Sequence, residues 1–79
     1  MKKPLYAILD IIAGFYSPVF TAENDAHAIR MMLESVNPAH ARDYVLFRLA
    51  TYNSDNGEIT PNEPRRIANA HEALKDIQS

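Results

Sequence analysis

The sequence predicts an α+β fold, a small antiparallel sheet of about four strands with one helix packed on it and a C-terminal helix, in the order β-β-α-β-β-α. Three observations carry that expectation. Branched apolar residues fill Leu5 to Ile12 and stop at Ala13-Gly14. Apolar residues recur at helical spacing between Ala26 and Val36. The stretch YVLFRLATYNSDNGEITP, Tyr44 to Pro61, alternates, turns on an Asn-Gly step and alternates again.

Taken in order, Leu5 to Ile12 reads as a strand buried on both sides, with Gly14 supplying the turn after it. Phe15 to Ala22, FYSPVFTA, favours a strand, but Pro18 lacks the N–H a ladder needs, so the segment is an edge strand or bulges at the proline. Ala26, Ile29, Met32, Leu33 and Val36 then form one helical stripe. Asn24 or Thr21 caps its start, Glu23 and Asp25 suit the positive end of the dipole, and Asn37-Pro38 stops it. Arg30 and Glu34 make an i,i+4 pair on its wet side. After a short loop, Pro38 to Asp43, the hairpin strand divides into two sets. Val45, Phe47, Leu49 and Thr51 are assigned to the helix-packed face, and Tyr44, Leu46, Arg48, Ala50 and Tyr52 to the other, with a one-residue slip exchanging the two. Glu58-Ile59-Thr60 returns as a short strand. Thr60-Pro61-Asn62-Glu63 has the form of a capping box, which starts a C-terminal helix over residues 61–79, with a later start at Pro64 equally open. Ile67, Ala70, Leu74 and Ile77 form its stripe, available for packing on the sheet or for oligomerisation.

A chain of 79 residues, 47% of them apolar, makes one domain over 1–79 with one small core. Such a core supplies no more than roughly 3–5 kcal/mol, so self-association is expected to help. The absence of cysteine excludes disulfides and thiolate metal sites. A formal charge of −2 argues against bulk electrostatic condensation of nucleic acid and makes any nucleic-acid contact local. No window approaches the ~18 apolar residues of a membrane span. A soluble protein used inside a cell, with no membrane partner, is expected.

Catalytic signatures are sparse. His27, His40 and His71 have no metal-ligand spacing, and no Walker loop, GxGxxG or GxSxG occurs, so neither enzyme, metal nor cofactor is expected. Asp10 is the odd residue of an apolar strand, expected either at the strand's exposed end or bonded to turn amides, with a binding role as the lesser alternative. Tyr44, Arg48 and Tyr52 form a row that suits base stacking and phosphate contact, although taken alone such a row more often packs on a core edge or a dimer interface. Lys2-Lys3 and Arg65-Arg66 are the only local concentrations of positive charge, and the second pair is placed against the dipole of the expected helix.

The segment YAILDIIAGFYSPVFTAENDAHAIRMM followed by RDYVLFRLATYNSDNGEIT resembles the small non-structural protein of gokushoviruses, single-stranded DNA phages of the Microviridae. The family's pattern is an opening strand with an aspartate, an aromatic-proline-phenylalanine segment, an Asn-Asp step, an Ala-x-Arg helix and a DY-x-L-[FY] hairpin. Matching positions are Tyr6, Asp10, Phe20, Asn24, Asp25, Ala28, Arg30, Asp43, Tyr44, Leu46 and Gly57. Val19 stands where a second proline is expected and Ala50 where a glycine is usual, and the loop after the helix is shorter. The resemblance implies a viral protein of the host bacterial cytoplasm associated with the phage genome, and no catalytic residues.

Two functions follow as expectations. The first is a homodimer or higher homo-oligomer that binds single-stranded DNA through Tyr44, Arg48 and Tyr52, aided by Lys2, Lys3, Arg65 and Arg66, in replication or the switch to packaging. The alternative is a non-enzymatic interaction factor that uses the same face for self-association or for other phage proteins and does not touch DNA.

Overall fold

The computed structural model describes residues 1–78. β1 (Lys2–Asp10) is the apolar strand expected at the start. Its end is fixed by Asp10, whose Oδ1 accepts from the amides of Ile12 and Ala13, each at 3.0 Å. The turn closes as the Gly14 N–H donates to the Asp10 carbonyl at 2.8 Å, with Gly14 at φ 83°. The aspartate therefore serves the turn, as its position in the sequence suggests.

Pro18 divides the next segment. β2 (Phe15–Tyr16) and β3 (Phe20–Thr21) both pair antiparallel with β1, and this gives five strands where about four are expected. The registers Leu9↔Tyr16 and Tyr6↔Phe20 differ by one residue, so the segment bulges at the proline. Ser17 bridges the gap: its Oγ accepts from the Ile8 N–H at 2.9 Å, and its own N–H donates to the Ile8 carbonyl at 2.7 Å.

α1 (Asp25–Ser35) starts at Asn24, whose side chain accepts from the His27 N–H at 2.8 Å. The His27 ring nitrogen accepts from the Glu23 N–H at 3.1 Å, a reciprocal arrangement with the logic of a capping box. The buried line of the helix runs through Ala28 and Met32, while Ala26 is exposed. Asn37 then caps a 3-10 turn (Pro38–Asp43), which occupies the expected loop.

β4 (Tyr44–Asn53) pairs with β1 on one side and β5 (Ile59–Asn69) on the other, all antiparallel. Their connection holds Gly57 at φ 76°, where the Asn-Gly step predicts a positive value. β5 corrects the expected C-terminal helix. Residues 61–69 are strand, and α2 (Ala70–Gln78) begins only at Ala70, with Asn69 Oδ1 accepting from the His71 N–H at 2.8 Å. A ten-residue β4 leaves a row of backbone groups that a short strand at 58–60 would not satisfy, and pairing outweighs the local capping signal. Pro61 and Pro64 are tolerated because β5 lies at the sheet edge, with Asn62–Pro64 in an irregularity between the Arg48 and Ala50 pairings. Ile77, placed on the expected stripe, lies outside the described side chains.

The core corrects the assignment of faces. Buried Tyr6, Ala22, Ala28, Met32, Ala41, Leu46 and Ala70 make one cluster, with Ile8, Phe20, Tyr44 and Ile67 packed against it. Tyr44 and Leu46 thus face the helices, and Val45 and Phe47, on the opposite parity of β4, face away from them. The expected orientation is exchanged from Tyr44 to Leu49, whereas Ala50, Thr51 and Tyr52 lie on the sides expected of them. Both parities of β4 are apolar, so the choice falls to distant partners, Tyr6 and Met32, that local periodicity does not contain.

Candidate nucleic-acid interface

An extra residue in β4 builds the face turned away from the helices. Tyr6 pairs with Arg48 and Leu5 with Ala50, so Leu49 is an unpaired insertion. Before the bulge, Val45 and Phe47 lie beside Leu9 and Ala7. Beyond it the alternation changes sides: Ala50 and Tyr52 join Leu5 and Lys3, while Thr51 joins Pro4 on the helix side. Tyr16, opposite Leu9, adds a ring from the neighbouring strand and meets Phe47 edge-on with centroids 5.7 Å apart. Among the described residues no helix covers this face. It carries Tyr16, Phe47 and Tyr52 among Leu5, Leu9 and Leu49, with Tyr16 44% exposed.

Two cations border it. Lys3 Nζ lies 2.9 Å from Glu23 Oε1, and that ammonium, by hydrogen bond and by charge, holds the Glu23 carboxyl below its usual range. Arg66, the register partner of Phe47, reaches Glu72 at 3.0 Å. Both pairs are exposed and each is worth about 1 kcal/mol or less, so either cation can exchange its carboxylate for a phosphate at small cost.

Arg48 and Arg65 occupy the opposite side. They face each other across the β4–β5 ladder, next to Tyr6 on β1. The Tyr6 hydroxyl donates to Asp25 Oδ1 at 2.5 Å from inside the core. Burial first, then that carboxylate, drives the Tyr6 phenol well above its ordinary range, against a smaller opposing pull from the two arginines.

The row Tyr44, Arg48 and Tyr52 is therefore not one surface. Tyr44 packs on the core, Arg48 stands half-buried on the helix side, and Tyr52 lies beside Lys3 on the uncovered face. Lys2, opposite Asn53, is exposed at the start of β1. Arg65 and Arg66 are neighbours in an edge strand, not in a first helical turn, so the adverse dipole does not arise. Sequence reasoning singled out neither Tyr16 nor Phe47. The signal was present in the alternate register of β4, which places Phe47 outward. Of the positions shared with the gokushovirus pattern, Asp10 and Gly57 form turns, Asn24 caps α1, Tyr6 and Asp25 bond each other, and Phe20 stacks on Tyr6 at 5.9 Å. Ala28 and Leu46 are core, Arg30 pairs with Glu34 at 3.8 Å, and the Asp43 carbonyl receives the Ile11 N–H at 2.9 Å.

A family model described as phage ORF5 protein matches residues 3–73. The chain belongs to the phage ORF5 protein family. No curated protein matches it significantly, and neither does any solved structure. The matched span of this phage protein runs from β1 into the first turn of α2, so it includes the uncovered face and the arginine pair alike. Among the described residues there is no group of three or more His, Cys, Asp or Glu side chains able to hold a metal ion, and no helix is long and apolar enough to cross a membrane.

Proposed function

We propose that this phage protein is a single-stranded DNA-binding factor acting in viral genome replication or in the switch to packaging, within the cytoplasm of the infected bacterium. It works by binding and not by catalysis. The resemblance to gokushovirus non-structural proteins supports a small single-stranded DNA phage as its setting. The observation that carries the reading is the uncovered sheet face, where Tyr16 on β2 and Phe47 and Tyr52 on β4 flank β1, with Lys3 beside Tyr52 and Arg66 beside Phe47. Rings held on a sheet offer flat platforms to unpaired bases, each stacked base contributing about 1–3 kcal/mol, and the bordering cations meet the phosphates. A duplex hides those base faces. Preference for single strands follows from geometry, without sequence readout.

Fluorescence anisotropy of a labelled single-stranded oligonucleotide, with a matching duplex and a salt series, tests this. Wild type should prefer the single strand, and Phe47→Ala should weaken binding by about tenfold while the circular dichroism spectrum is kept. Equal affinity for duplex, or unchanged affinity in Phe47→Ala, refutes the stacking face.

The same face also supports a second reading, favoured by Leu5, Leu9, Leu49 and the 55% exposed Ile59, aliphatic groups that stacking does not need. In it the phage protein is a homo-oligomeric interaction factor and two copies, or another phage protein, close over this face. Sedimentation decides. A dimeric mass that Phe47→Ala converts to monomer, without DNA binding by the wild type, selects this reading.

A further inference from the structure

The arginines on the helix side of the sheet form a second feature, independent of the stacking face. Arg48 and Arg65 stand directly opposite each other in the β4–β5 register, and like charges so placed repel. Among the described residues neither forms an ion pair, although Lys3, Arg30 and Arg66 each find a carboxylate. The nearby carboxylates are otherwise placed: Asp25 accepts from the Tyr6 hydroxyl, and Glu63 lies on the cavity wall without an ion pair to either arginine. Arg48 is half-buried, so its charge is less screened than that of a surface side chain.

The space around the pair has room for a small polar ligand. Arg48, Thr51, Asn62, Glu63 and Arg65 line a cavity of about 280 Å³. A second cavity of about 450 Å³, with Pro4, Asn24, Asp25 and the Lys3-paired Glu23 on its walls, shares Arg48 with the first. The Thr51 hydroxyl and the Asn62 amide, 3.5 Å apart, add neutral hydrogen-bonding groups beside the guanidiniums. Two planar forks beside the Asn62 amide N–H donors suit a tetrahedral oxyanion, because a guanidinium donates two parallel N–H bonds to phosphate oxygens, while the Thr51 hydroxyl donates to Asn62 Oδ1 and turns the amide's NH2 outward.

We propose that Arg48 and Arg65, with Thr51 and Asn62, form a binding site for a phosphate group. The bound anion relieves the repulsion between the arginines, so occupancy and stability are linked. The proposal does not rest on the stacking face. The phosphate belongs either to a nucleic-acid backbone or to a free phosphorylated small molecule, and the two sources share this chemistry.

The test is thermal unfolding of the full chain in chloride and in inorganic phosphate at matched ionic strength. With phosphate in about tenfold excess over its Kd, wild type should unfold about 5 °C or more higher than in chloride. Arg65→Gln changes an exposed edge residue, so it should fold, unfold no lower than wild type in chloride, and lose the phosphate-specific rise. Arg48→Lys, which keeps charge but not the planar fork, should lose most of it. A phosphate rise of equal size in wild type and Arg65→Gln, or none in wild type, overturns the site. Oligonucleotide binding identifies the source. A shallower salt dependence in Arg65→Gln assigns the site to the DNA backbone, and an unchanged one, with the phosphate rise still lost, assigns it to a free phosphorylated molecule.

Discussion

Tyr6→Phe isolates one oxygen atom in the core. The Tyr6 side chain is fully buried, its ring stacks on Phe20, and its hydroxyl donates to Asp25 at 2.5 Å in the first turn of α1. Phenylalanine keeps the ring and its packing and removes only that donor. A hydrogen bond to a charged group contributes about 1.5–3 kcal/mol, and Asp25 is half-buried, so water replaces part of the loss. The expected cost is about 1.5 kcal/mol, or about 6–12 °C in Tm for a domain of this size. The dependence on pH has a definite sign. Burial and the Asp25 carboxylate hold the folded phenol protonated above its ordinary value of about 10. Between the unfolded and folded values the unfolded chain binds fewer protons, so wild-type stability falls as pH rises above about 10. Tyr6→Phe lacks that term. Urea unfolding at pH 7 and at pH 10.5–11 should therefore show the gap between the two proteins narrowing in alkali. An unfolding free energy within about 0.5 kcal/mol of wild type at pH 7, or a gap that stays constant or widens with pH, refutes the account of this bond.

Three further substitutions probe other parts of the fold. Leu46→Ala deletes a fully buried side chain at the centre of the core at a cost of about 2–5 kcal/mol; against a total of roughly 3–5 kcal/mol, far-ultraviolet circular dichroism at 25 °C should report a largely unfolded chain. Asp10→Ala removes the acceptor for two turn amides and should cost about 1 kcal/mol with faster hydrogen exchange at Ile12 and Ala13, whereas Asp10→Asn, which retains the accepting oxygen, should recover most of it. Gly57→Ala meets no atom within 4 Å, so its cost in chemical denaturation is conformational alone, about 1–2 kcal/mol for a side chain at φ 76°, with Gly57→Asn costing less.

Local chemistry made much of this fold legible. Asn24 at the start of α1, Asp10 at the end of β1, the proline bulge and the positive φ at Gly57 each follow from one or two residues and act within a few positions of themselves. What escaped the sequence depends on distant partners. Thr60-Pro61-Asn62-Glu63 meets every local rule for a helix start, yet these residues lie beside a long β4 that needs an edge. In β4 itself Val45, Phe47 and Leu49 are as apolar as Tyr44, Leu46 and Ala50, so alternation does not say which set is inside. The candidate surface was half legible for the same reason. Lys3, Tyr52 and Arg66 stand out as charged or aromatic residues, but Tyr16 and Phe47 join them only once the register is known. The bulge at Leu49, which moves Tyr52 away from Arg48, leaves no mark in composition or period.

The edge strand constrains how either function can operate. β5 presents an unpaired side to solvent, which in a flat sheet invites a second chain to add a strand. Pro61 and Pro64 remove donors from this strand, and the irregularities opposite Leu46–Phe47 and Arg48–Ala50 break its line, so edge-to-edge assembly is disfavoured. The opposite edge offers only the two-residue β2 and β3, broken at Pro18, so any self-association would fall to the faces, where the uncovered aromatic surface lies. The same strand carries Arg65 and Arg66 as neighbours, and adjacent residues of a strand point to opposite sides. Arg65 thus belongs to the arginine pair on the helix side, while Arg66 is the partner of Phe47. One peptide unit at an edge closed to strand addition links the two surfaces. A second copy seated on the aromatic face would cover Phe47 and leave the Arg48–Arg65 cavity open, so a dimer that loses stacking should still respond to phosphate.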